Sequence, residues 1–122
     1  LAPAGHIGPK DLAKSITINV EATARLIGYV GPLLGRDGHA VFTDDPRGGA
    51  QFFGAYGATK AAQIALAKSW QAESEKTGPH VHIVTPNPMP TATRARFYPG
   101  EDRNKLSSPA DEAARLLGTL SL

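Results

Sequence analysis

Tyr56-Gly57-Ala58-Thr59-Lys60 opens an alanine-rich stretch, and the spacing inside it decides how the chain is read. Residues i and i+4 lie one above the other on a single helical face, so this phenol and this ammonium stand side by side. An unperturbed phenol titrates near about 10. A neighbouring positive charge stabilises the phenolate and makes the group a better proton donor and acceptor near neutral pH. Read alone, the pair is an ordinary helix-surface pair; its weight comes from its surroundings. Ala55, Ala58, Ala61, Ala62, Ala65, Ala67 and Ala72, with Leu66 and Trp70, suit close helix packing. The helix is expected from about Phe53 to Lys76, stopped by Gly78-Pro79.

Thirteen residues before the tyrosine, Thr43 ends the apolar run His39-Ala40-Val41-Phe42-Thr43. That run is strand-like in length, the strand being expected over Gly38–Thr43, and it precedes a Gly/Pro/Asp loop from Asp44 to Gly49. A hydroxyl at the C-terminal tip of a strand in an open α/β sheet lies where ligands bind in such folds. Upstream, Asn19 interrupts a helical pattern of Leu12, Ile16, Val20, Ile27 and Val30. Pro9 to Leu34 reads as one long helix that frays or bends near Gly28 and Gly31. Downstream, a second strand, His80 to Thr85, runs into Pro86-Asn87-Pro88-Met89-Pro90-Thr91. A long proline-rich segment to Ser107 carries a short helix around Ala92–Phe97. Ser108-Pro109-Ala110-Asp111 then sets an N-cap, a proline at the first helical position and an acid in the first turn, for a helix to about Leu117.

In order and spacing these residues resemble the C-terminal half of a short-chain dehydrogenase/reductase. That family's pattern is Asn on a helix, Ser at a strand end, Tyr-x-x-x-Lys, then Pro-Gly-x-x-x-Thr after the next strand. Asn19, Thr43, Tyr56, Lys60, Pro86 and Thr91 occupy those positions over nearly the whole chain. Thr43 replaces the usual serine, keeping the hydroxyl but adding a methyl that restricts χ1. Asn87 replaces the usual glycine, at greater cost if φ must be positive.

The resemblance implies the C-terminal half of a Rossmann-like, doubly wound parallel α/β sheet that lacks the N-terminal nucleotide-binding βαβ units, as a single partial domain over 1–122. It implies an oxidoreductase moving hydride between NAD or NADP and an alcohol or carbonyl, inactive or nearly so in this piece alone. On that resemblance Tyr56 is the general acid/base, and Lys60 lowers its pKa and contacts the nicotinamide ribose. Thr43 holds the substrate oxygen, and Asn19 anchors a water linking Lys60 to solvent. Thr91 and the backbone near Met89 bind the carboxamide, Pro86 also belongs to the cofactor site, and the proline-rich segment is a mobile substrate-binding flap. A homodimer or tetramer through the two long helices is implied as well. The residues alone leave plainer readings open: Asn19 as a solvent-facing polar residue, Thr43 as a β-branched strand residue, Thr91 as a helix cap.

The family's Gly-x-x-x-Gly-x-Gly turn, which cradles pyrophosphate at a helix N-terminus, has no counterpart here. Gly31-Pro32-Leu33-Leu34-Gly35-Arg36-Asp37-Gly38 closes a helix and precedes a strand, so it reads as a helix stop and turn. With Leu1 at about the end of the family's central segment, the chain is expected to be the catalytic half of a longer enzyme. Two parallel strands cannot easily close a core, and open sheet edge or partner contacts are expected. The 13 Lys/Arg against 11 Asp/Glu leave a net charge of +2, too small to argue nucleic-acid binding. No cysteine is present, which removes disulfides and thiolate metal sites. No run of about 18 apolar residues or signal peptide is visible, so the expected setting is cytoplasmic, away from membranes.

His80 and His82 share a strand face and could share a metal, but no third ligand is evident and no metal site is expected. Asp44 and Asp45 beside Pro46 read as turn formers, and Arg47-Gly48-Gly49 as a loop. The charges at Arg94, Arg96, Arg103 and Lys105 read as a solvated surface. Two other functions stay in view: a non-enzymatic interaction or scaffold protein on a degenerate dehydrogenase fold, at which Thr43 and Asn87 hint, and a small independent binding module.

Overall fold

The computed structural model describes residues 1–120 and divides into two compact units, Leu1–Ile83 and Val84–Leu122. In the first unit, α1 (Pro9–Ile16), a π-helical turn (Thr17–Glu21) and α2 (Ala22–Leu34) follow one another without a break. Strand β1 (His39–Thr43), helix α3 (Gly54–Ser74) and strand β2 (His80–Val84) come next. The strands lie side by side in a small parallel sheet, with α3 as the crossover.

The long helix expected over Pro9–Leu34 is present, but its irregularity falls at Thr17–Glu21 rather than at Gly28 and Gly31. Gly31 stays helical and is a contact point: a Cβ there would lie 3.3 Å from Trp70 Cζ2, so its absence lets the indole lie against α2. The same indole meets Phe42 of β1 edge-on, ring centroids 6.1 Å apart at 85°. Ile64, Ala67 and Val81 are buried in this layer, and Gln71 Nε2 donates to the Val81 carbonyl at 2.6 Å. Of the α3 alanines only Ala67 is buried here, while Ala58, Ala61, Ala65 and Ala72 are exposed.

The opposite face of β1 is open. Val41 is 46% exposed, and Thr43, two residues on and hence on the same face, is exposed too. His39 shares that face and joins His80 and His82 across the strands: its ring stacks on both, at 4.9 and 5.2 Å, and His39 Nδ1 lies 2.9 Å from His82 Nε2. Burial and the two neighbouring rings hold the His82 pKa below its ordinary value. Among the described residues no group of three or more His, Asp or Glu has a metal-holding arrangement. None of the described helices is long and apolar enough to cross a membrane.

The second unit contains α4 (Ala92–Phe97), a 3₁₀ turn (Arg103–Lys105) and α5 (Pro109–Thr119). Each start is capped as the residue types demand: Thr91 Oγ1 accepts from Arg94 N, Asp102 from Asn104 N, and Ser108 from Asp111 N. Arg94 pairs with Glu101 through two contacts of 2.6 Å and lies over the Tyr98 ring at 4.4 Å, so part of the predicted solvated surface is an internal brace. Glu112 is 2% exposed and accepts from Asn87 N at 2.8 Å, from Asn87 Nδ2 at 3.2 Å and from Arg115. Asn87 thus uses both its backbone and its side chain to hold α5 within the second unit.

The bonds from Arg115 and then Asn87 hold the Glu112 carboxyl down, to about 2 against an ordinary 4.5. A depressed carboxyl stabilises the fold above its unfolded pKa, and that contribution fades as pH falls through the folded value. The protein should accordingly lose stability between pH 4.5 and about 2. Acid titration followed by circular dichroism should show a shallower loss in Glu112→Gln, which begins less stable at neutral pH.

Candidate active site at the start of helix α3

The segment after β1 turns back on itself through Asp45. Its Oδ1 accepts from Arg47 N at 3.1 Å and from Arg47 Nε at 2.8 Å, while Oδ2 accepts from Arg47 Nη2 at 2.7 Å. That turn brings the carboxylate to the phenol, where Tyr56 OH donates to Asp45 Oδ2 at 3.0 Å. Arg47 also lies over the Phe53 ring at 5.3 Å. Phe53 is buried, whereas Phe52 takes the left-handed backbone, φ 68°, and stays 50% exposed. Such a conformation costs a bulky residue roughly 1–3 kcal/mol. Pairing of Ala2 N with the Phe52 carbonyl at 2.9 Å helps to hold it.

Gly57 fixes the height of the loop over the helix. A Cβ there would lie 3.2 Å from Phe53 Cβ and 3.3 Å from Gly48 Cα, so backbone rests on backbone. One residue earlier, Tyr56 is partly buried beneath Asp45.

Lys60 stands one turn further along α3, as the spacing predicts, and its Nζ donates to Gln63 Oε1 at 2.6 Å. Gln63 in turn donates to Thr23 Oγ1 at 2.9 Å. A parallel bridge joins Asn19 Nδ2 to Thr59 Oγ1 at 3.0 Å, and Thr59 donates to the Ala55 carbonyl at 2.8 Å. The π turn carries Asn19, and π turns recur at functional positions because the extra residue redirects a side chain. Asn19 is therefore not solvent-directed: it meets α3 at the residue next to Lys60.

Electrostatics differ from what the Tyr56–Lys60 spacing alone predicts. Burial first, then the Asp45 charge and its hydrogen bond, push the Tyr56 phenol up to about 12, with Arg47 opposing. The Arg47 hydrogen bond holds the Asp45 carboxyl below its ordinary range. Burial lowers the Lys60 pKa, opposed by Asp44 and Asp45. The amine is directed to Gln63, and the phenol donates its hydrogen bond to the carboxylate.

Thr43 ends β1 exposed, two residues short of the carboxylate that meets the phenol. In the second unit, Thr91 caps α4 and its N donates to the Met89 carbonyl at 2.7 Å, while Pro86 and Met89 are half-buried. Asp45 is the site residue that sequence reasoning assigned only to turn formation. It does form the turn, through Arg47 N, and the same geometry lends its other oxygen to Tyr56.

Comparisons with known proteins agree with this architecture. A family model described as enoyl-(acyl carrier protein) reductase, of the short-chain dehydrogenase/reductase type, matches residues 2–118. The chain is 32% identical over 115 residues to an uncharacterized oxidoreductase of Escherichia coli, YciK, covering 91% of this chain and 45% of that one. It superposes on a short chain dehydrogenase from Salmonella enterica serovar Typhi with a TM-score of 0.89 and 30% identity, over 96% of this chain and 50% of that one. A short chain dehydrogenase from Escherichia coli solved with NADPH gives a TM-score of 0.87 at 32% identity, over 95% and 50% of the two chains. The chain thus spans about half the length of the relatives it matches.

Overpacking the loop contact should cost stability: Gly57→Val is expected to destabilise by about 1–3 kcal/mol. Urea denaturation checks this, and an unchanged midpoint would show that the loop does not rest on α3.

Proposed function

The chain belongs to the short-chain dehydrogenase/reductase family, and we propose that it is the catalytic half of an NAD(P)-dependent oxidoreductase acting on an alcohol or carbonyl substrate. The observation that carries this reading is the Tyr56 phenol, partly buried after the C-terminal end of β1, one helical turn from the Lys60 ammonium. Together with Asn19 bonded beside Lys60, it is the residue set that proton transfer to a carbinol oxygen requires.

The residues present suit the nicotinamide end of such a cofactor. Lys60 has three donors and Gln63 takes one, which leaves two for the paired hydroxyls of a ribose. Thr91 accepts from Arg94 N and retains its own O–H for the carboxamide, with Pro86 and the Met89 backbone beside it in sequence. When bound, the cofactor supplies or accepts the hydride. Tyr56 gives the proton to the substrate oxygen or takes it back. Thr43 contributes a hydroxyl at the strand tip for that oxygen, and Asn19 holds a water connecting Lys60 to solvent. We place the protein in the cytoplasm.

On α2, Leu26, Tyr29 and Leu33 are 58%, 75% and 84% exposed, and their spacing puts them on one helical stripe. That stripe supports a homodimer or tetramer through the long helices. Light scattering at micromolar concentration should give a dimer mass or greater, and Leu33→Glu should reduce it; a monomer in the unchanged protein would contradict the assembly.

A second reading, a non-enzymatic interaction protein on a degenerate dehydrogenase fold, is favoured by one observation: Asp45 holds the phenol protonated. Turnover separates the two. In the enzyme containing this chain, Tyr56→Phe should lower kcat by about 10²–10⁴-fold, measured through nicotinamide absorbance. Turnover unaffected by that change would remove Tyr56 from the mechanism.

A further inference from the structure

Among the described residues Glu112 is the one charged side chain that is buried, and the chemistry proposed above makes no use of it. A charge taken out of water is tolerated only where donors surround it. Here the donors come from two residues. Asn87 N and Nδ2 donate at 2.8 and 3.2 Å, one to each carboxylate oxygen, and Arg115 Nε lies 3.1 and 3.0 Å from the same pair. Arg115 Nη2 also reaches the Thr85 carbonyl at 3.5 Å. One ion pair on α5 thus holds the carbonyl that precedes Pro86 and the amide that follows it.

Those two groups open the segment Pro86-Asn87-Pro88-Met89-Pro90-Thr91. Proline has no N–H, so the main-chain donors of this segment lie only at Asn87, Met89 and Thr91. Asn87 N is committed to Glu112, and Thr91 N donates to the Met89 carbonyl at 2.7 Å. Arg103 Nη2 occupies the Pro90 carbonyl at 2.5 Å. The Met89 N–H is left without a hydrogen-bond partner among the described residues. Alternating prolines fix φ at every second position, so holding the first residues of the segment sets where that donor stands.

Resting on the oxidoreductase reading above, we infer that Glu112, braced by Arg115, is a positioning residue for the cofactor: it holds the Pro86–Thr91 segment so that the Met89 N–H stays available to the carboxamide oxygen of the nicotinamide.

The task needs a carboxylate rather than any buried polar group. Both oxygens face Asn87 donors, and only an ionised carboxylate accepts at both. The bonds from Arg115 and Asn87 keep it ionised at neutral pH. In Glu112→Gln either orientation of the amide sets an NH₂ against one of those donors.

The test uses two probes on the enzyme containing this chain. One is NADH or NADPH, whichever binds more tightly; the other is the matching ADP-ribose, 2′-phosphorylated in the second case, which lacks the nicotinamide ring. Glu112→Gln should weaken the dinucleotide at least about tenfold, the scale of one hydrogen bond, and change ADP-ribose binding by less than about twofold. A merely structural role would weaken both probes alike, and that result, or no weakening of either, overturns the inference. Met89 is the only methionine of the chain, so its amide can be followed by ¹⁵N-methionine labelling and assigned through Met89→Leu. Its signal should move with the dinucleotide but not with ADP-ribose, and should move less in Glu112→Gln. In the unchanged enzyme the Asn87 amide should resist hydrogen exchange before any cofactor is added. Free exchange there overturns the inference even where Glu112→Gln does not fold. Should the Met89 signal respond to the dinucleotide identically with and without Glu112, the oxidoreductase reading stands and the role of Glu112 fails. Should neither NADH nor NADPH bind, the underlying reading fails instead.

Discussion

One carboxylate organises the proposed site. Asp45 gathers the amide of its own turn, the guanidinium of Arg47 and the phenol of Tyr56, and each partner constrains the next. A half-buried charge is steadied by donors, and four hydrogen bonds to two oxygens meet this one. The loop that carries it lies close to α3 at Gly57, where a Cβ would come within 3.3 Å of Gly48 Cα. The charge distribution at the phenol follows from this arrangement: a negative neighbour at 3.0 Å and an amine directed to Gln63.

A second constraint comes from the helices beside α3. Thr23 and Thr59 are buried polar residues, and Asn19 and Gln63 pair with them across the helix boundary. Each such bond contributes on the order of 1 kcal/mol net, and leaving its partner bare in the interior costs more. The π turn at Thr17–Glu21 lets α1 and α2 pass α3 with Asn19 aimed inward. Local irregularity, interhelical bonding and the setting of Lys60 are therefore one feature described at three scales.

Much of the fold was legible because its punctuation is local. Gly35 with φ 63° ends α2, Ser108 and Pro109 open α5, and Ala92–Phe97 is helical over the residues expected. The two strands and the crossover helix follow from apolar runs bounded by glycine and proline, and their ends moved by only one or two residues. The π turn was not legible, since neither glycine nor proline marks Thr17–Glu21, whereas Gly28 and Gly31 drew the expected bend to themselves. Of the site, the helical spacing of Tyr56 and Lys60 was readable, whereas the bond of Asn19 to Thr59, forty positions away, was not. The contact of Asp45 with a residue eleven positions away was not, because it depends on how a loop returns over a helix. His39 escaped for a similar reason: it meets His80 and His82 only once the strands are paired.

The site depends on the hydrogen bond between the Tyr56 phenol and the Asp45 carboxylate. Titration of the Tyr56 ring carbon by NMR from pH 7 upward measures it directly. This phenol should keep its proton well past its ordinary 10.0 and ionise at about 12. Ionisation at or below 10 would mean that Lys60, not Asp45, governs the phenol, and would contradict the arrangement described.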